Sequence, residues 1–311
     1  MSTKLKNNEK AKGQPHRKWV VLLVVAGVLA LIVSGGWIFL RRAQVSHADF
    51  AYSTNCGINF FDLNTKTITY SFPDECTLMH AFDFSPDDER VAYINNEGEL
   101  IIARVRPFEI QPTNFALMDV SALAWSPDGS TIAVWEAVNL QTGQMLVLVD
   151  VETGEITEHG IYSVRYTSLA WSPNSRELIF ATDHTTDMEL VHYNIDTEEI
   201  TALTDDDTLN RYAIWSGHTT IFSRREINGF NDSLMMLDLT TNEMQQLASA
   251  YTIQAGDVSP DGRYLTYMAT NDDAIPGLFW MDLETYESEQ IAPYEPQSYM
   301  SHWLTTADFD N

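Results

Sequence analysis

A pattern of about 44 residues recurs along this chain, and it leaves few folds open. LAWSPDGSTIAVW, from Leu123 to Trp135, has relatives in FDFSPDDERVAYI from Phe82, LAWSPNSRELIFAT from Leu169 and GDVSPDGRYLTYMA from Gly256. YAIWSGHTTIFSR from Tyr212 is a degenerate copy and YMSHWLTT from Tyr299 a truncated one. The anchoring aromatic or apolar residue falls at Phe84, Trp125, Trp171, Trp215, Val258 and Trp303, at steps of 41, 46, 44, 43 and 45 residues. A second signature lies between these, with its acid at Asp62, Asp150, Asp196, Asp238 and Asp282 and one worn copy near Arg106.

Each unit reads as four short strands. In the Leu123 unit these are SALAW, TIAVW, QMLVLVD and EITEH, joined at SPDGS and VETGE corners. β-Branched and aromatic residues fill the strands, and Pro, Asp, Gly and Asn fill the corners. In SPDG, Pro presets φ, Asp accepts backbone hydrogen bonds and Gly takes positive φ. Four strands per unit is the pattern of a propeller blade, and each of the four strand types is counted six times. The chain enters with FAYST, GINFFDL and KTITYSF and ends with YMSHW. The last strand is therefore expected to complete the blade begun by the first three, which removes the free edges of a linear array. The fold class is all-β: a six-bladed β-propeller closed by its terminal strands and preceded by one transmembrane helix.

The aromatic-SPDG strand followed by D-x-x-T-G-E resembles the TolB-type SPDG-repeat β-propeller family. The resemblance runs from about Asp49 to the end and is carried best by the copies at Trp125, Trp171 and Val258. It implies the propeller fold and a binding or scaffolding role, and it names no partner.

Composition divides the rest. Residues 1–18 hold six Lys/Arg and one acid, and residues 19–40, from Trp19 to Leu40, carry no charge. At ~1.5 Å per residue that run crosses the ~30 Å hydrocarbon core as a helix. Ser34-Gly35-Gly36 would also suit signal cleavage, but Trp-Ile-Phe-Leu prolongs the apolar run past it. The basic flank precedes the span, so the tail is expected in the cytoplasm and the domain outside, extracellular or periplasmic. The expected parts are a tail (1–18), a signal-anchor helix (19–40), a linker (41–48) and the propeller (49–311). After Arg42 there are 10 Lys/Arg and 43 Asp/Glu, a formal charge of -33. Such a domain repels nucleic acid and leaves a protein, peptide or glycan as the expected partner.

Catalytic motifs are sparse. The Asp of the SPD corner recurs at Asp87, Asp128 and Asp261, so it is a corner residue, since a catalytic group is needed once. Gly129 follows Asp128 directly, unlike the sialidase Asp-box. No G-x-S-x-G, H-E-x-x-H or phosphate-binding loop occurs, and no catalytic residue is assigned. A hydrolase or lyase using a funnel carboxylate pair, and a Ca²⁺-binding envelope protein, stay as alternatives. The weak Ca²⁺ candidates are Asp205, Asp206, Asp207, Asp272 and Asp273. Cys56 and Cys76 are expected to pair in an oxidising compartment, closing a loop of about 20 residues. Four residues before each anchor stand His80, Ser121, Thr167, Arg211, Gln254 and Tyr299, all polar. They mark the mouth of the central channel as the expected ligand site, with Arg211 suited to hold a carboxylate.

Overall fold

The sequence repeat becomes a ring of sheets. In a computed structural model, residues 48–54, 57–72, 81–113, 115, 117, 119–139, 143–163, 167–182, 188–270, 276–293 and 301–305 are described. The strands in chain order are β1 (Phe50–Thr54), β2 (Gly57–Asp62), β3 (Thr67–Phe72), β4 (Phe82–Phe84), β5 (Arg90–Ile94), β6 (Leu100–Arg104), β7 (Glu109–Ile110) and β8 (Val120–Trp125). They continue with β9 (Thr131–Asn139), β10 (Gly143–Asp150), β11 (Ile156–Ser163), β12 (Leu169–Trp171), β13 (Glu177–Thr182), β14 (Glu189–Asn194), β15 (Glu199–Ala202) and β16 (Thr208–Ser216). The last are β17 (Thr219–Glu226), β18 (Asp232–Asp238), β19 (Met244–Ala250), β20 (Thr252–Val258), β21 (Tyr264–Thr270), β22 (Pro276–Asp282), β23 (Ser288–Pro293) and β24 (Ser301–Trp303).

These strands form six four-stranded antiparallel sheets, one per blade, so the chain is a six-bladed β-propeller. The seam has the expected order, β24-β1-β2-β3. Trp303 lies opposite Phe50 and Ser301 opposite Tyr52. Leu304 N–H then donates to the Asp49 carbonyl at 3.0 Å. Among the described residues no helix is long and apolar enough to cross a membrane, and the expected span at residues 19–40 lies outside them.

The hydrophobic core lies between neighbouring blades. Ala124, Trp135, Leu146 and Leu148 of one blade pack on Leu169, Trp171, Phe180 and Tyr193 of the next. Two of the anchoring Trp side chains also tie blades together, because an indole N–H must find an acceptor when buried. Trp171 Nε1 donates to the Ala124 carbonyl at 3.0 Å, and Trp303 Nε1 to the Asp257 carbonyl at 3.1 Å.

The SPDG corner is structural, as its recurrence implied. Ser126 Oγ donates to Asp128 Oδ1 at 2.7 Å and accepts the Thr131 N–H at 3.0 Å. Gly129 has φ 77°, and the same left-handed seat is taken by Asp88 (φ 57°) and Ser175 (φ 59°) in two other blades. Asp and Ser tolerate that conformation less well than Gly, so the corner geometry is kept in those two blades although the Gly is not.

The second signature needs one correction. The residue that ends the third strand and accepts the turn N–H groups is Asp62, Asp150, Asp238 or Asp282 in four blades. In the β12–β15 blade that seat belongs to Asn194, which accepts from Thr197 N–H, while Asp196 pairs with Arg176 at the surface. From Asp150 onward the step is then a constant 44 residues. In the worn blade the seat is Arg104, opposite Arg90 in the ladder, two residues before the position read from sequence.

Candidate functional site

Two charged centres occupy opposite faces of the ring. The inner strands begin at one face; the SPDG corners form the other.

At the first face, a pocket of about 420 Å³ opens between the β16–β19 blade and the β20–β23 blade. Arg211 comes from the start of β16, Arg225 from the end of β17, Asp232 from the start of β18, and Gln254 from the start of β20. Ile253, Met268 and Pro276 give the pocket an apolar flank.

Arg225 grips Asp232 with a fork: Nε to Oδ1 at 2.6 Å and Nη2 to Oδ2 at 3.0 Å. Its Nη2 also donates to the Tyr251 carbonyl at 3.3 Å. Asp232 accepts the Ile253 N–H at 3.2 Å, so it joins the two blades. Its side chain is only 4% exposed, and with its bonds filled it is an anchor.

Arg211 is held far less completely. Its Nη2 reaches Asp232 Oδ1 at 3.4 Å, and its buried Nε has no hydrogen-bond partner. It immediately precedes Tyr212, where φ is 53°, and the register of β16 shifts between Arg211 and Ile214. A tyrosine in the left-handed region carries strain, and such strain gathers at functional sites. Among the described residues, the charged side chains lining the pocket are two guanidiniums and one carboxylate, in a domain whose overall charge is strongly negative.

Of the six expected funnel residues, the structure brings Arg211 and Gln254 together. Ser121 is exposed on β8, and Thr167, before β12, is buried with no partner for its hydroxyl; neither lines the pocket. His80 and Tyr299 lie outside the described residues, as do Cys56, Cys76, Asp272 and Asp273. Asp206 is held by Arg224 Nη2 at 2.6 Å and hydrogen-bonds Thr208, within a network that includes Asn210 and Glu189. Among the described residues no group of three or more His, Cys, Asp or Glu side chains is arranged to hold a metal. Arg225, Asp232 and Tyr212 were not singled out from sequence. The Arg224-Arg225 pair was the available signal, since it holds two of the ten basic residues after Arg42.

At the corner face, the closing strand carries His302 between two blades. Its Nδ1 lies 3.0 Å from Asp83 Oδ1 and 3.5 Å from Asp257 Oδ2, and its Nε2 lies 3.8 Å from Asp88 Oδ1. Asp83 and Asp257 each stand one residue before an anchor, and each accepts the anchor N–H of the next blade: Trp125 at 2.7 Å and Trp303 at 2.8 Å. Thr305 N–H donates to Asp88 Oδ2 at 2.7 Å. Burial pushes the Asp257 carboxyl up to about 6, although His302 opposes the rise. Burial works against the His302 charge, but the Asp83 and Asp88 hydrogen bonds and the Asp83 and Asp257 charges outweigh it and hold the imidazole well above its ordinary value. With both ring nitrogens facing carboxylates, the doubly protonated ring is the form that fits.

The family model for the TolB β-propeller domain matches residues 63–305, most of the chain. The chain belongs to the TolB β-propeller family. Its fold is similar to that of TolB from Acinetobacter baumannii, at 14% identity and TM-score 0.72, covering 86% of this chain and 70% of that one. The nidogen/laminin complex matches at 13% identity and TM-score 0.62, over 82% and 97% of the two chains. An oligogalacturonate lyase in complex with manganese matches at 15% and 0.54, over 77% and 71%. Identities this low show the fold alone. A comparison with curated protein sequences finds none that matches.

Proposed function

We propose that this TolB-family propeller is a membrane-tethered, extracytoplasmic binding module whose protein or peptide partner docks on the face where the inner strands begin. The observation that carries the reading is the set of apolar side chains exposed on the loops of that face, with Phe230 the most exposed large hydrophobic residue among the described residues. Phe230 is 84% exposed and Ile227 50%, both on the loop between β17 and β18, and Tyr251, between β19 and β20, is 57% exposed. Val138 and Tyr162 project at the corresponding ends of β9 and β11. Large exposed aromatics beside a polar pocket are the composition of a protein contact surface. The pocket chemistry agrees, because the one carboxylate among its described lining residues, Asp232, is engaged by two arginines and a backbone N–H. The uncharged run at residues 19–40, behind a basic tail, supports the tether and the outward orientation.

The test is photo-crosslinking in intact cells with a benzophenone amino acid at Phe230 and, separately, at Thr197 on the opposite face. The expected result is a discrete adduct from position 230 and none from 197. Equal adducts at both positions, or none at 230, would overturn the docking face. A phosphatase fused after residue 311 is expected to be active only if that end is outside the cytoplasm.

A further inference from the structure

Resting on the docking reading above, we infer that the Arg211 pocket is a receptor for one carboxylate of the bound peptide segment. Three independent features converge on it. First, among the described residues the balance of charge is inverted locally: two guanidiniums face one carboxylate, within a domain where acids outnumber bases by 43 to 10. Holding a net positive charge there is favoured by the surrounding field, and a singly charged anion neutralises it.

Second, the two arginines are not equivalent. Arg225 spends its fork on Asp232, whereas Arg211 lies over the Tyr212 ring at 5.5 Å, makes one long hydrogen bond to the same carboxylate and leaves a buried N–H without an acceptor. Arg211 remains 21% exposed at the side chain and lines the pocket, and a carboxylate entering there would supply the acceptor that its guanidinium lacks. Planar, paired N–H groups of this kind recognise a carboxylate through two parallel hydrogen bonds.

Third, the walls select the body that carries the carboxylate. Thr252 and Gln254 offer polar contacts, Ile253 and Met268 offer apolar ones, and about 420 Å³ is room for one or two residues. Phe230 and Tyr251 stand close to the pocket in sequence, two residues from Asp232 and one from Thr252. A phosphate group, with its higher charge, would be repelled by the acidic domain more strongly than a carboxylate.

The carboxylate can belong to a chain end or to an acidic side chain, and the experiment separates these sources. Three probes are titrated by calorimetry into the full chain in detergent: acetyl-Ala-Phe with a free C-terminus, acetyl-Ala-Phe amide, and acetyl-Glu-Phe amide. One of the two acids is expected to bind at least about tenfold more tightly than the uncharged amide. Arg211→Gln is expected to erase that gain while leaving the melting temperature and the amide binding in place. Phe230→Ala is expected to weaken all three alike. Equal binding of acids and amide, or a gain that survives Arg211→Gln, overturns the carboxylate receptor, and so does a lack of binding by all three at millimolar concentration. If the carboxylate gain is present but Phe230→Ala changes nothing, the pocket stands and the docking face fails.

Discussion

The two charged centres of this propeller set cationic side chains against carboxylates in opposite ratios. Among the described residues, one imidazole sits among three carboxylates at the corner face, and one carboxylate sits among two guanidiniums at the other. In both, an aspartate accepts a backbone N–H from the next blade, so the carboxylate is a strut first. What differs is what is left over. His302 has both ring nitrogens directed at Asp side chains, and Asp88 is held in turn by Thr305. Arg211 keeps an N–H without a partner. A closed centre holds the ring together, and an open one has capacity to bind.

That contrast can be broken most severely at Asp232. Asp232→Ala leaves two arginines without their counterion and removes the link to Ile253. Breaking a buried pair costs ~3–5 kcal/mol, and with Arg211 and Arg225 partly exposed about 3 is expected. Urea unfolding measures it; a loss below about 1 kcal/mol would deny Asp232 its role as a strut. His302→Ala should cost less, about 2 kcal/mol, because the ring is 21% exposed and solvent can relieve the carboxylates it abandons. The same measurement applies, and an unchanged midpoint would mean that the seam does not depend on this centre.

The pH dependence follows from the same cluster. Asp257 and His302 both hold their protons more tightly in the folded chain than in the unfolded one. The native state therefore binds the extra protons, and stability falls as pH rises. The Asp257 part is lost between its unfolded value of 3.8 and about 6. The His302 part is present below 6.5 and disappears as pH climbs through the raised value. Calorimetric scans from pH 5 to 9 are expected to show a declining melting temperature, and His302→Gln should flatten the limb above 6.5. A melting temperature that rises over this range would contradict the arrangement. The smallest effect belongs to Arg211→Gln. It gives up one long contact and relieves a partly desolvated charge, so stability should move by no more than about 0.5 kcal/mol. A large loss would make Arg211 a strut like Arg225 and weaken the contrast.

The blades were legible because each is a local object. Corners such as the one at Ser126 and Asp128 satisfy themselves within five residues, and hydrophobic alternation marks the strands between them. The seam was legible too, since three strands at one end and one at the other leave a single way to complete the ring. Misreadings arose where a similar residue stood nearby, as with Asp196 beside the true seat at Asn194. The pocket was half legible. Arg211 and Gln254 share a position in consecutive units, so the repeat found them. Arg225 and Asp232 sit on second and third strands, and their partnership with Arg211 and Ile253 depends on how strands and blades face each other. No spacing in a single chain reports that. The same holds for His302, whose partners Asp83 and Asp257 come from the blades on either side.

The seam has a consequence in time. Most sheets of this ring are meanders whose strands meet within a few tens of residues, and such contacts form quickly. The pairing of Phe50 with Trp303 instead waits for the two ends of the described chain to find each other across the whole domain. Closing so long a loop is slow and gains nothing until it is complete. The ring should therefore assemble as an open arc whose final step is the docking of β24, with His302 arriving last between two blades that already exist. An arc in that state shows an unpaired β1 edge to any neighbouring chain, and the lifetime of that state, more than the stability of any blade, sets how readily this protein aggregates as it folds.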